Sequence, residues 1–359
     1  MKIALIGLSN SGKTTVFNAL TGQNLETTLY PTVSGDPHFG VIKVPDPRLD
    51  KLSEIFKPKK TTHATIEYID YIGLTKGDHD QNRKVFDLIK DVDAIVHVVR
   101  TFHDETITHP LNAVDPRRDI EITELELILG DLELVEKRIE RMNETVKQGK
   151  NPDELEKALM LKCRDYLTIG KALRTADFTS EELDIMKSFQ FLTTKPEVVV
   201  FNISETELED DKIRSIQTDL EALFPSLVIL SLCGKLEMEL SRLDPSDAGM
   251  FLDDLGIDEP ASSRLIRVCH RMLGLITFFT TRGNEARAWS IKRGTPALKA
   301  AGKVHSDIER GFIRAEVISF EDFIAAGSMH AAREKGQLRL EGKTYEVNDG
   351  DIISFRFNV

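Results

Sequence analysis

Gly7-Leu8-Ser9-Asn10-Ser11-Gly12-Lys13-Thr14 follows the apolar run Lys2 to Ile6 and leads into a helical pattern over Lys13 to Leu20. The octet fits G-x-x-x-x-G-K-[ST], and its place between a strand and a helix sets it apart from an ordinary glycine-rich turn. A polyphosphate chain needs a loop whose backbone N–H groups point inward, glycine where a Cβ would collide, and a helix N-terminus beyond to favour the anion. The spacing therefore assigns Asn10, Ser11, Gly12, Lys13, Thr14 and Thr15 to nucleotide phosphates. Lys13 is expected on the β- and γ-phosphates and the Thr14 hydroxyl on a magnesium ion.

Two more strand ends extend this reading. Asp70-Tyr71-Ile72-Gly73 closes the strand TIEYI, Thr65 to Ile69. An acidic residue there suits a magnesium site, and a glycine three residues on lets its N–H approach the γ-phosphate, so Asp70 joins the metal set and Gly73 joins Lys13 in catalysis. Leu74 follows where many GTPases carry a water-orienting glutamine. Leucine orients no water, so turnover is expected to be slow, with the water positioned by another residue, a partner or the substrate.

Asn202-Ile203-Ser204-Glu205 ends the strand EVVVF, Glu197 to Phe201. Guanine-specific domains read N-K-x-D here, the Asp accepting from the guanine N1–H and N2 amino groups and the Lys stem packing on the ring. Ile203 removes the Lys and Glu205 is one methylene longer than Asp, so Asn202, Ile203 and Glu205 are base-side candidates without the guanine clamp. The plainer alternative is that Asn202 caps a strand-to-helix turn. Cys233 and Gly234 follow the strand Leu227 to Leu232 and stand either where backbone N–H groups meet the base or in an ordinary turn.

The rest of the chain bounds these readings. It has 359 residues, a formal net charge of -12 and 41% hydrophobic residues, which fits two or three globular domains and excludes a disordered or collagenous chain. The longest apolar runs, such as Val198 to Phe201 and Leu227 to Leu232, are strand-length, so no membrane span is expected. The N-terminus lacks the apolar region of a secretory signal, and a cytoplasmic protein is expected. Cys163, Cys233 and Cys269 are odd in number and far apart, which argues against a disulfide framework or a zinc site. The acidic balance excludes non-specific coating of nucleic acid. Leu275 to Val359, however, carries 13 Lys and Arg against 11 Asp and Glu, net +2, leaving -14 upstream, so local RNA contact stays open.

Strands alternating with helices through the first 112 residues predict a mainly parallel sheet. Leu125, Ile128, Leu132, Val135, Ile139, Met142 and Val146 then repeat at three- and four-residue spacing, an apolar seam of about three heptads. A break at Asn151-Pro152 and a second helix over Glu154 to Leu173 predict a hairpin inserted into the α/β pattern. That pattern resumes after a capping box at Thr179 and Glu182. From Leu275 the chain is strand-rich. The expected segments are 1–112 and 196–273, the two parts of an α/β domain with a helical linker, 113–195, the helical insertion, and 274–359, a small β-rich domain.

The sequence resembles the YchF or Obg-like ATPase family of P-loop NTPases over nearly its whole length. The resemblance rests on GLSNSGKTTVFNALTG, VPDPRLDKLSEIF, DAIVHVVRTF, DPRRDIEITELELILGDLELVEKRIERM, MKSFQFLTTKPEVVVFN and AWSIKRGTPALKAAGKVHSDIERGFIRAEVISFEDF. It implies a Ras-like G domain, an inserted α-helical coiled-coil hairpin and a C-terminal β-grasp domain similar to TGS. It also implies ATP preference through Asn202 and Glu205, a hydrophobic residue in place of the catalytic glutamine at Leu74, magnesium as cofactor, and the ribosome or RNA as partner through the hairpin and the TGS-like domain. Family members usually read Y-P-F-C-T-I-E-P-N in switch I; here Tyr30 to His38 is YPTVSGDPH, which aligns Ser34 with the metal-binding threonine and leaves Thr32 as an offset candidate. The stretch after Asp70 lacks the usual glycine-rich run and is shorter and more polar.

His97 reads as a core histidine in a buried strand, while His38, His103 and His109 lie near the nucleotide side without metal spacing. Trp289 with Arg287, Lys292 and Arg293 forms a small basic-aromatic group suited to RNA. The expected function is a magnesium-dependent P-loop NTPase that binds and slowly hydrolyses ATP as a nucleotide-dependent switch. The alternatives are a GTPase of the same architecture and a nucleotide-gated ribosome-binding or scaffold protein with incidental hydrolysis.

Overall fold

The strand expected before the phosphate loop forms over Lys2–Ile6 (β1), and the helix after it over Lys13–Thr21 (α1), with Gly12 as its N-cap. A computed structural model describes residues 1–27, 37–71, 73–148, 153–208, 210–281 and 284–358 of the chain. Ser34 and Thr32 lie outside the described residues.

The chain divides into two compact units, Met1–Val41 with Glu67–Ser262 and Ile42–Ile66 with Ser263–Val359. After α1 come β2 (His38–Lys43), α2 (Pro47–Phe56), β3 (Lys60–Thr62), β4 (Thr65–Asp70), α3 (His79–Ile89) and β5 (Ala94–Arg100). The helical insertion supplies α4 (Pro116–Lys147), α5 (Glu154–Thr168) and α6 (Ser180–Met186). The α/β pattern then resumes with β6 (Glu197–Asn202), α7 (Asp211–Leu223), β7 (Val228–Leu232), α8 (Gly234–Leu240), α9 (Pro245–Asp254) and α10 (Ala261–Met272). The first sheet has the order β2-β4-β1-β5-β6-β7, and β1 runs parallel to β4 and β5, β5 to β6, and β6 to β7. Every residue of β5 and β6 is buried, as strands covered on both faces require, and their β-branched runs fit that setting. Parallel strands also bring their carboxyl ends to one edge of the sheet, where Ile6, Asp70, Arg100 and Asn202 end their strands.

Asp115 caps α4 by accepting from the Arg118 N–H, and Pro116 fits its first turn. Ile128, Val135 and Met142 are buried against Leu159, Met160, Cys163 and Leu167, and Leu132 and Ile139 flank them half-buried. Leu125 and Val146, expected at the ends of the seam, are instead 49% and 47% exposed. The reason is length: α5 has 15 residues against 32 in α4 and covers only its middle. Each fully buried aliphatic side chain stabilises by roughly 1.5–3 kcal/mol. A surface pair such as Arg117–Glu121 contributes about 0.2–0.5 kcal/mol, so packing rather than charge holds the hairpin. The second helix is also shorter than expected. It stops at Thr168, and Gly170, at φ +72°, leads out of it. The Thr179–Glu182 capping box forms as read.

The second unit continues with β8 (Leu275–Thr280), β9 (Glu285–Lys292), α11 (Ala297–Val304), α12 (Ser306–Arg310), β10 (Phe312–Ser319), α13 (Phe320–Ala326), α14 (Met329–Glu334), β11 (Arg339–Glu341) and β12 (Asp351–Phe357). Its sheet has the order β11-β10-β12-β8-β9-β3, with β12 parallel to β8 at the centre, antiparallel pairs flanking it and β3 parallel to β9 at the edge; without β3 this is the strand order of a β-grasp. The sequence reading placed Ile42–Ile66 with the first segment. It groups here with the C-terminal residues because Lys60–Thr62 pair with Glu285–Arg287 at the sheet edge and Phe56 stacks on Phe323. Residues 337–347 hold only the three-residue β11. The residues after it are tied down otherwise: the Tyr345 hydroxyl donates to Asp351 at 2.8 Å, and its carbonyl accepts from the Ala297 N–H.

A buried ionic chain lies within the first unit. His97 Nδ1 lies 3.2 Å from Glu197 Oε1, and Arg174 donates to Glu197 at 2.6 Å and to Glu124 of α4 at 2.9 Å. Burial, then Glu197 beside it, pushes the Glu124 carboxyl up to about 8, and burial pulls the His97 imidazole down to about 4. Removing the cation strands the fully buried Glu197 and the largely covered Glu124, so Arg174→Ala should lower the unfolding free energy by about 3–5 kcal/mol. Urea denaturation checks this, and an unchanged midpoint would contradict it. The pH dependence has a definite sign. A carboxyl raised in the folded state stabilises fully below its unfolded pKa of 4.5, and that contribution is lost as pH rises toward about 8. His97, lowered in the folded state, acts oppositely, but only below its unfolded pKa of 6.5. Between pH 6.5 and 8 the Glu124→Gln variant should therefore decline less steeply than the parent, by up to about 1.4 kcal/mol per pH unit. Parallel curves would refute the assignment.

Candidate functional site

The phosphate loop takes its shape from backbone that side chains would block. Asn10 at φ +60° and Gly12 at φ +89° turn the chain through the left-handed region. A Cβ on Gly12 would fall 2.1 Å from Asn202 Nδ2, so glycine is required twice over, by conformation and by space. The Asn10 side chain donates to the Thr108 carbonyl at 2.9 Å, and the Ser11 N–H donates to the Leu8 carbonyl at 3.3 Å.

Lys13 is buried, and its Nζ donates to the Leu8 carbonyl at 2.9 Å. Burial pulls its pKa down to about 8, opposed by the nearby Asp70. The Thr14 hydroxyl donates to Asp70 Oδ2 at 2.8 Å. Burial raises the Asp70 carboxyl above its usual range, with Lys13 and the Thr14 hydrogen bond holding it back. Asp70 Oδ1 and Ser11 Oγ are buried without a hydrogen-bond partner among the described residues. A hydroxyl beside a carboxylate with one oxygen unsatisfied is a hard-oxygen donor set, and it fits magnesium, which takes one or two protein ligands and completes its shell with water and phosphate. Among the described residues there is no cluster of three His, Cys, Asp or Glu that could hold a metal by itself.

Asn202 is used on both sides of its amide. Nδ2 donates to the Ser11 carbonyl at 3.0 Å, and Oδ1 accepts from the Gly234 N–H at 3.1 Å. Its backbone carbonyl accepts from the Thr101 hydroxyl at 2.8 Å. The residue thus ties the phosphate loop to the ends of β5 and β6 and to the start of α8. Ile203, expected beside the nucleotide, packs into the hydrophobic core with Cys233 and Leu236, and its N–H goes to the Leu232 carbonyl. Cys233 is buried and its thiol raised, chiefly by burial, while Gly234 opens a helix instead of a loop and has its N–H committed to Asn202. Thr15 lies beside Gly234. Glu205 begins a short helical turn at the surface and faces Lys235 at 3.7 Å.

Gly73 is brought against the phosphate loop: a Cβ there would come within 2.8 Å of the Ser9 backbone and hydroxyl. Leu74 donates its N–H to the Gly7 carbonyl and buries its side chain with Val85, Phe86 and Leu127. Of the histidines, His97 stays in the core as read. His109 is committed to structure, because its Nδ1 accepts from the Leu111 N–H and its Nε2 lies 3.0 Å from Asp119 Oδ2, while burial lowers its pKa. Contacts that sequence reasoning missed include Gln81 on Gly73, and Asn82 and Gly77 on Glu126. No local spacing reports pairs 44 or 49 residues apart.

Residues 2–138 match a family described as a 50S ribosome-binding GTPase (MMR_HSR1). Residues 275–358 match YchF-GTPase_C, described as a protein of unknown function (DUF933). The ribosome-binding ATPase YchF of Bacillus subtilis is 42% identical, over 99% of this chain and 98% of the relative. That of Escherichia coli O157:H7 is 39% identical, over 100% and 99%. The solved structure of the Schizosaccharomyces pombe YchF GTPase superposes with a TM-score of 0.85 at 28% identity, covering 99% of this chain and 97% of that one. With an α/β G domain built around the Gly7–Thr14 loop, a C-terminal domain and relatives matched end to end, the chain belongs to the YchF family.

Proposed function

We propose that this chain is a magnesium-dependent NTPase that binds and slowly hydrolyses ATP, and that it works in the cytoplasm as a nucleotide-dependent partner of the ribosome. The observation that carries the chemistry is the Lys13, Thr14 and Asp70 group, two buried ionisable groups and a hydroxyl at the Gly7–Thr14 loop, with one Asp70 oxygen left without a partner among the described residues. The ribosome enters from the names of the relatives, and it suits a chain whose TGS-like C-terminal unit carries the Arg287–Trp289 contact at 3.9 Å.

The residues divide the work. Lys13 already surrenders an ammonium hydrogen to the Leu8 carbonyl, and a bound phosphate offers it a charged acceptor in the same buried setting, where charge-assisted bonds are strongest. Its pKa of about 8 leaves it mostly protonated at pH 7, and an anion beside it raises that value. Thr14 and Asp70 would hold magnesium, which supplies charge neutralisation across the β- and γ-phosphoryl oxygens. The amides of Asn10 to Thr15 cradle the phosphates, and Gly73 meets the γ-phosphoryl group. Adenine is favoured because the two positions of the guanine clamp are spent otherwise among the described residues: Ile203 is in the core, and Glu205 is an exposed carboxylate with a lysine nearby.

Lys13→Ala should reduce turnover by about 10²–10³, and steady-state phosphate release measures it; a variant with parental turnover would place the activity elsewhere. Displacement of labelled ATP by unlabelled ATP or GTP tests the base, and a clear GTP preference would replace the adenine reading with a GTPase. Asn202→Asp keeps the acceptor for Gly234 but sets a carboxylate oxygen against the Ser11 carbonyl. It should cost about 1–3 kcal/mol in thermal unfolding and weaken ATP and GTP binding alike. Loss of base selectivity alone would instead put Asn202 on the base. In cosedimentation with ribosomes, binding that ignores both nucleotide and Lys13→Ala would end the nucleotide-dependent reading.

A further inference from the structure

Leu74 leaves the hydrolytic step without the polar side chain usual at that place, and α3 supplies one to the same segment. Gln81, in the first turn of α3, donates from Nε2 to the Gly73 carbonyl at 3.1 Å. Its own position is fixed, since its backbone N–H donates to the N-cap Asp78 at 3.1 Å. On the other side of the same peptide unit, the Leu74 N–H donates to the Gly7 carbonyl at 2.9 Å. The Gly73–Leu74 peptide is therefore gripped from both sides, its carbonyl by α3 and its N–H by the phosphate loop.

A peptide plane held at both ends cannot rotate without losing both bonds. Gly73 can then redirect its N–H only by turning its own two backbone angles against that fixed plane, and contact with Ser9 restricts them further. We propose that Gln81 is a positioning residue for hydrolysis: by clamping the Gly73–Leu74 peptide it holds the Gly73 N–H toward the γ-phosphoryl group. The proposal rests on the hydrolytic function proposed above. Leu74 cannot do this, because its side chain is spent in the core. Of the neighbouring polar residues on α3, Asn82 is committed to the Thr75 backbone at 2.8 and 3.0 Å, which leaves Gln81 to serve Gly73.

The test uses the full chain with Mg-ATP and three variants. Gln81→Leu removes the donor, Gln81→Glu keeps the shape but turns an oxygen toward the Gly73 carbonyl, and Gln81→Lys restores a donor. Turnover in Gln81→Leu and Gln81→Glu should fall roughly ten- to hundredfold, as expected for misplacement of a group at the reacting centre. The KM for ATP, the affinity for labelled ATP and the melting temperature should stay near the parent's, and Gln81→Lys should recover most of the turnover. Unchanged kcat in the Leu and Glu variants would overturn the proposal, as would a loss of kcat accompanied by equal losses of affinity and melting temperature, which marks a merely structural contact. Lys13→Ala run alongside separates the two readings. If it abolishes turnover while the Gln81 variants do not, only the positioning role fails; if it leaves turnover intact, the hydrolytic function itself fails.

Discussion

One side-chain amide sets the geometry on which the site depends. Asn202 donates to the Ser11 carbonyl and accepts from the Gly234 N–H, and its Nδ2 occupies the space that a Cβ on Gly12 would need. The glycine of the phosphate loop and the asparagine at the end of β6 are therefore one constraint seen from two places in the sequence, 190 residues apart by their numbering. A buried amide satisfied on both sides is a rigid brace, because losing either bond exposes an unpaired group. Asn202 therefore acts on the phosphate loop through Ser11, whatever its relation to a base.

The second constraint is the handling of charge without water. Lys13 and Asp70 are both buried, and burial pushes each toward its neutral form, the amine down and the carboxyl up. Each draws the other back toward charge. The charge on each of the pair is therefore sensitive to whatever further charge is set beside it. The Glu124–Arg174–Glu197–His97 chain solves a different problem with the same chemistry. There the cation faces two carboxyls, and the bonds join α4 to β5 and β6, so the insertion is rooted in the sheet by ionic contacts as well as by apolar packing.

The sequence made some of this legible and hid the rest for physical reasons. The loop, β1, α1 and the buried strands were readable because each follows from local pattern: glycine spacing, a run of β-branched residues, a strand followed directly by a helix. Thr14 beside Asp70 was readable from element order alone, since parallel strands deliver their ends to one edge. The heptad seam was readable as a helix face, but not its extent, because the cover on α4 depends on where α5 stops. Ile203 and Cys233 were site candidates by position, and the core location of their side chains, which position does not report, leaves only their backbone for such a role. The grouping of Ile42–Ile66 with the C-terminal unit was not readable at all, for a three-residue strand carries too little pattern to announce a partner more than 220 residues away.

The segment from Gly73 to Asn82 shows how the site and the insertion share structure. Gly73 leans on the phosphate loop, Thr75 is held by both ends of the Asn82 amide, and Glu126 of α4 accepts from Gly77 N–H at 2.9 Å and from Asn82 at 2.8 Å. Glu126 is buried, so its carboxylate has no ready exchange with water, and these two donors are what it has in place of solvent. Any rearrangement of Gly73 that carries Thr75 with it must either break bonds to a buried carboxylate or move that carboxylate and the turn of α4 that bears it. The first choice costs a charged hydrogen bond in a dry setting, of the order of 1.5–3 kcal/mol. The second costs repacking between Phe86 and Gly130, where the ring lies 3.0 Å from the position of a Cβ and would have to give way to one. Helix and loop are thus bound to one another at the base of the hairpin, and a change in one is transmitted to the other by the bonds themselves.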